Sequence, residues 1–366
     1  MGYTYAIDTK AMFKDRFEQF VTLGIPRAEV EEMADVITDM WADAPGGWPH
    51  EWSRLAERYV ALGQSYSASL AYGCAKFPCL ADETRRMALA NQVTSYLAAA
   101  PGFPVKFERR LIDVPFRRAT AQLPVHLFSA DGRLDQHPVL LFSGGVDTWK
   151  MDVHSLCIIM AQRLGVTVMA FDQPGTGENP APLTVEADES VLALVAAARR
   201  VGNGKVIHFG MSFGANYAAM TGLRGVVDGS IVLGGPVDRA FDADFLGKLP
   251  FGMADIIGND MGFNHKPSMP EFLNVGQKLS RRELLVTTVN APMLVINGAD
   301  DYFVPQADTL IFEGRPSTEV HLVPGAGHCA FSKLPDVMAL VFRWLTPQLA
   351  STGGDNPRPA ISRHVG

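Results

Sequence analysis

Residues 205–216 read KVIHFGMSFGAN. A short apolar run leads into Gly210-x-Ser212-x-Gly214, and the following ANYAAMTGL has helical character. Strand, sharp turn and helix in that order form a nucleophile elbow, which lifts a serine hydroxyl above the edge of a sheet. The turn is crowded, so small residues must flank the serine. The N-terminus of the next helix points at it and favours developing negative charge. Ser212 is therefore the candidate nucleophile, and it needs a base and a carboxylate to orient that base.

Reading outward, short apolar runs recur at PVLLFSGG, VTVMAFDQPG, GSIVLGGP, APMLVING and EVHLVPGAGH, separated by helical stretches. Strands apolar on both faces that alternate with helices predict a mostly parallel sheet covered on both sides. Ahead of them, VKFERRLIDVPF and LPVHLFSAD alternate like antiparallel strands. Residues 1–104 differ: their apolar residues fall at helical spacing between Gly and Pro breaks, which predicts four or five helices in an N-terminal lid or dimerisation segment. The sheet-bearing core is expected over 105–349. A mainly helical cap insertion interrupts it at about 237–285, and a loose polar tail occupies 350–366.

The missing partners stand past the last two apolar runs, where catalytic groups of parallel sheets gather. NGADDYFVP places Asp301 in the acid position, with Asp300 as its fallback, and GAGH offers His328 as base. His208 and His321 fall inside strands, and His50 and His364 in the helical segment and the tail. An oxyanion needs two backbone donors. One is the N–H of Phe213, next to the nucleophile; the other comes from the loop FSGGVDTWK, from Gly145 or Val146. Substrate contacts are expected from Trp149, His154 and the cap residue Asp244.

Composition narrows the rest. The chain has 366 residues, 47% hydrophobic and 19% charged, with a formal net charge of -7. That balance suits a globular core and argues against a nucleic-acid partner, since phosphate contacts need a basic face. No apolar run is long enough to span a membrane and no secretory signal opens the chain, so the expected location is the cytoplasm. The four cysteines match no zinc pattern. DQPGTGE lacks the length and the Lys-Ser/Thr ending of a phosphate-binding loop, so neither metal nor cofactor is expected.

Together GMSFG, NGADDYFVP, GAGH and DQPGTGE resemble the α/β-hydrolase superfamily. The N-terminal helices and SGGVDTWKMD narrow the resemblance to the group containing 2,6-dihydroxypseudooxynicotine hydrolase, Ayg1-type polyketide-shortening hydrolases and FrsA-like proteins. That resemblance implies a Ser-Asp-His triad, a homodimer and a small carbonyl substrate of aromatic or polyketide type. It further implies an acyl-enzyme and, in several members, cleavage of a carbon–carbon bond beside a ketone. An acidic cap residue assists in some relatives; Asp238, Asp242 and Asp244 are the choices here, with no motif to select among them. The same triad also serves esterases, lactonases, acyltransferases and cyclases, and a non-catalytic regulatory protein could share the fold.

Overall fold

The computed structural model describes residues 2–350. The predicted tail lies outside the described residues. Five helices come first: α1 (Thr9–Leu23), α2 (Arg27–Val36), α3 (Trp48–Ala61), α4 (Ser65–Ala75) and α5 (Glu83–Ala99). α1 starts where the Asp8 side chain accepts the Ala11 N–H and stops at Gly24, whose φ of 114° only glycine adopts without strain. α4 is buried continuously from Ala68 to Ala75, because it is sandwiched rather than amphipathic.

An eight-stranded sheet follows, in the order β1-β2-β4-β3-β5-β6-β7-β8. Its strands are β1 (Lys106–Phe116), β2 (Ala119–Ser129), β3 (Val139–Ser143), β4 (Thr167–Phe171), β5 (Val206–Met211), β6 (Gly229–Leu233), β7 (Met293–Gly298) and β8 (Thr318–Val323). β1 and β2 form an antiparallel hairpin, β2 joins β4 antiparallel, and all remaining pairings are parallel. The crossover helices are α6 (His154–Leu164), α7 (Asp188–Val201) and α8 (Gly214–Leu223). Every residue of β3 to β7 is buried, as strands covered on both faces must be. β2 departs from the expected alternation: from Leu123 to Ser129 it is buried throughout. Packing on both sides accounts for this, with Tyr96 of α5 stacked on His126 and Phe107 of β1 beside the same ring.

Past β6 the chain leaves the sheet for α9 (Ala243–Leu246), α10 (Met253–Asp260), α11 (Met269–Gly276) and α12 (Arg282–Leu285). It then closes with β7, α13 (Gln306–Leu310), β8 and α14 (Leu334–Ala350). The helical excursion is fixed at its root. The buried Asp308 carboxylate accepts the N–H groups of Val237, Asp238 and Arg239 at 2.6–2.9 Å. Arg281 grips Asp188 of α7 through two bonds of 2.6 and 2.8 Å and Asn216 of α8 at 2.9 Å.

The N-terminal helices are joined to the loop after β3 by a buried ion pair. Lys76 Nζ lies 2.8 Å from Asp152 and 3.7 Å from the centre of the Trp149 ring, while Gln92 donates to the other Asp152 oxygen at 2.7 Å. Among the described residues no helix is long and apolar enough to cross a membrane, and none of the His, Cys, Asp and Glu residues form a metal-binding group.

Candidate active site

Ser212 occupies the turn between β5 and α8 with φ 53°, a left-handed conformation that a serine adopts only where its surroundings impose it. The surroundings are visible. A Cβ on Gly210 would meet the Gly214 carbonyl oxygen at 2.3 Å, and one on Gly214 would meet the Gly144 oxygen at 2.3 Å. The Gly214 N–H donates to that same Gly144 oxygen at 3.0 Å, so the elbow and the loop after β3 are tied together.

Three side chains from three strand ends converge. Ser212 Oγ lies 2.8 Å from His328 Nε2, and His328 Nδ1 lies 2.7 Å from Asp301 Oδ2. Those partners assign the tautomer: Nδ1–H donates to the carboxylate and Nε2 accepts from the hydroxyl. Asp301 is held in turn by the Phe303 N–H at 2.7 Å and Asn297 Nδ2 at 2.9 Å. Asn297, at the end of β7, also accepts the Cys329 N–H at 3.1 Å, so one amide positions both the acid loop and the histidine loop. The two loops touch so closely that a Cβ on Gly298 would lie 1.9 Å from the Gly327 oxygen. Asp300, the alternative acid, is exposed and bonds through its backbone to Ala326.

Burial disfavours a charged His328, whereas the Cys329 side chain and the Asp301 carboxylate favour one; the imidazole is displaced upward from its ordinary range. Burial pushes Asp301 up, but His328, Asn297 and the Phe303 N–H outweigh it and hold the carboxyl low. The result is a carboxylate that stays ionised beside a basic imidazole.

Gly145 faces the serine: a Cβ there would fall 2.8 Å from Ser212 Cβ and 2.9 Å from Oγ. Among the described residues, no backbone or side-chain acceptor takes the N–H of Gly145, Val146 or Phe213. A brace behind this loop escaped sequence reading. Asp172 of DQPGTGE accepts the Lys150 N–H at 2.9 Å and pairs with the fully buried Lys150 ammonium, which also reaches Glu178 at 2.8 Å.

The three residues expected to contact substrate lie in different surroundings. Trp149 is buried, with its indole N–H donated to Val146 O at 2.9 Å. His154 packs among Tyr66, Phe103 and Phe128 and bonds Tyr96 at 2.7 Å, because α6 turns its first residue toward α5 rather than toward the elbow. Asp244 is exposed on α9. Asp238 and Asp242 are engaged by Arg282 at 2.6 and 3.0 Å. What the sequence did not reveal is that α1 reaches the loops of the site. Arg16 lies 3.2 Å from Asp147, directly after Val146, and its guanidinium sits 5.2 Å from the Phe303 ring, which packs edge-on against His328.

Residues 139–339 match the model of the alpha/beta hydrolase family. The chain is 28% identical to "Esterase FrsA" of Photobacterium profundum over 334 residues, covering 84% of this chain and 77% of that one. It is 25% identical to "Esterase FrsA" of Vibrio vulnificus over 279 residues, or 67% of this chain and 65% of the relative, so part of that relative has no counterpart here. Among solved structures, wild-type AbyA5 superposes with a TM-score of 0.78 at 18% identity, covering 91% of this chain and 94% of the other. The 2,6-dihydroxy-pseudo-oxynicotine hydrolase gives 0.71 at 22%, covering 91% and 95%. At those identities the structural likeness speaks for the fold.

Proposed function

This chain belongs to the alpha/beta hydrolase family, and on that premise we propose that it is a serine hydrolase acting on a small carbonyl compound through an acyl-enzyme. One observation carries the reading: an unbroken hydrogen-bond chain of 2.8 and 2.7 Å from Ser212 through His328 to Asp301. His328 Nε2 takes the hydroxyl proton as Ser212 Oγ attacks the carbonyl carbon. The oxyanion that forms is held by the Phe213 N–H and a donor from Gly145 or Val146. His328 then returns the proton to the leaving group, deprotonates a water, and the acyl-serine is hydrolysed to the carboxylic acid.

The curated relatives named esterases support an oxygen leaving group. Cleavage beside a ketone, as the sequence resemblance implies, would follow the same steps with a resonance-stabilised carbanion leaving and His328 protonating carbon. Mass measurement of intact protein after exposure to a panel of esters and 1,3-diketones tests both. An adduct on Ser212 with the mass of the acyl half is the expected result, and the class of compound that yields it identifies the scissile bond. Full turnover by Ser212→Ala would overturn the covalent reading.

A further inference from the structure

Behind the triad, on the same edge of the sheet, several polar groups are buried without hydrogen-bond partners among the described residues. Gln173, two residues past β4, is 1% exposed with both amide atoms unmatched; Tyr217 of α8 is 0% exposed with its hydroxyl unmatched; Asp260, closing α10, is 2% exposed with Oδ2 unmatched. Folded proteins pair such groups almost without exception, so a cluster of exceptions calls for an explanation.

Their placement supplies it. Asp260 is pressed against the loop that carries Gln173: a Cβ on Gly175 would lie 2.8 Å from Asp260 Cβ, and the Asp260 carbonyl accepts the Leu183 N–H at 2.7 Å. Its carboxyl is near enough to Tyr217 to act on the phenol electrostatically, and Asp147 is near enough to act on Asp260. Gln173 follows β4 and Asp147 follows β3, and β3 pairs with β5, whose end carries Ser212. Asp260 is therefore packed on the loop that carries Gln173, at the carboxyl ends of the strands, the place where open parallel sheets bind ligands.

Burial, with Asp147 nearby and only Lys76 opposing, pushes the Asp260 carboxyl well above the usual carboxylate range. A neutral acid, an amide and a phenol all donate as well as accept hydrogen bonds. An alkyl chain would leave all of them unmatched, whereas a hydroxyl can donate to the Gln173 carbonyl and accept from a neighbouring donor, and a keto oxygen can accept from the Gln173 N–H or the protonated acid.

We propose that Asp260 and Gln173 form a polar subsite that binds a second oxygen function of the substrate, a hydroxyl or ketone remote from the scissile carbonyl. The proposal names the substrate class for the serine hydrolase reading and rests on it.

The test compares p-nitrophenyl phenylacetate with its 2-, 3- and 4-hydroxy derivatives, reading the ratio of kcat/KM for the best hydroxylated ester to that for the parent. The expected wild-type ratio is about ten or more, since a site built for a hydroxyl rejects the analogue lacking it. Asp260→Ala and Gln173→Met should each lower that ratio about tenfold, and Asp260→Asn, which keeps a donor, should hold most of it. A wild-type ratio near one, or variant ratios within about twofold of wild type, overturns the subsite, because a merely structural role depresses all esters alike. Calorimetric binding of acetophenone and its hydroxy derivatives to Ser212→Ala, with and without Asp260→Ala, reads the subsite without any hydrolysis. A hydroxyl preference there that vanishes with Asp260 supports the subsite even if no ester is turned over, in which case the hydrolase reading alone fails. No such preference overturns the subsite whatever the esters do.

Discussion

Arg16 and Asp147 face each other at 3.2 Å, each about nine-tenths buried, although one lies on the first helix and the other in the loop after β3, two residues past the Gly145 that faces Ser212. Around this pair, Gln19 donates to Thr148 at 2.7 Å and Tyr302 bonds Asp15. α1 thus touches both the loop after β3 and the loop that carries the acid.

Removing one partner of a buried pair strands the other charge. Arg16→Met should destabilise the protein by roughly 3 kcal/mol, and the double change Arg16→Met with Asp147→Leu should recover most of that loss. Urea unfolding of the three proteins checks both values. A double variant no more stable than Arg16→Met would show that the pair is not what holds α1 down.

Asp301→Asn keeps the shape of the acid and removes its charge. The imidazole then loses the partner that fixes its tautomer, and kcat should fall by about four orders of magnitude. Thermal stability should change far less, so parallel melting and turnover measurements separate chemistry from folding.

The pH profile has a definite sign. His328 acts as a base only when neutral, and its environment raises its affinity for a proton. The acid limb of kcat/KM should therefore lie above the ordinary imidazole value of about 6.5, with activity rising as pH rises through it. In Asp301→Asn the residual activity should titrate at lower pH, because the stabilising carboxylate is gone.

Gly145→Ala should cost about a hundredfold or more in kcat. The added methyl would intrude to 2.9 Å from Ser212 Oγ, into the space the reacting carbonyl needs. Gly210→Ala, by contrast, would drive a methyl into the Gly214 backbone at 2.3 Å and should lower the melting temperature as well as the rate. Turnover and melting curves of the two variants distinguish a blocked site from a broken elbow.

Local pattern went a long way in this chain. Gly210, Ser212 and Gly214 marked the elbow because backbone crowding there is a property of a few adjacent residues. Asp301 and His328 could be picked out because each follows an apolar run that had to be a strand. The antiparallel hairpin of β1 and β2 was equally legible, although the burial of β2 was not, since that depends on Tyr96, far back in the helices.

Distance in the chain set the limit. Nothing in the spacing of Arg16, Asp147 and Phe303 hints that they meet, nor that the Trp149 indole turns to Val146 and the His154 ring to Tyr96. The same holds for Asp260, an ordinary acid in a helical stretch until the cap folds it against Gly175.

By itself the sequence determined the parallel sheet, its crossovers and the placing of Ser212 at the turn after β5, because strand burial and the sharp elbow are dictated by neighbouring residues. Only the tertiary structure decided which helix packs against the loop after β3 and which polar groups are buried beside it. Those outcomes depend on how separate surfaces fit when they close, and close packing of distant segments leaves no periodic trace in the chain.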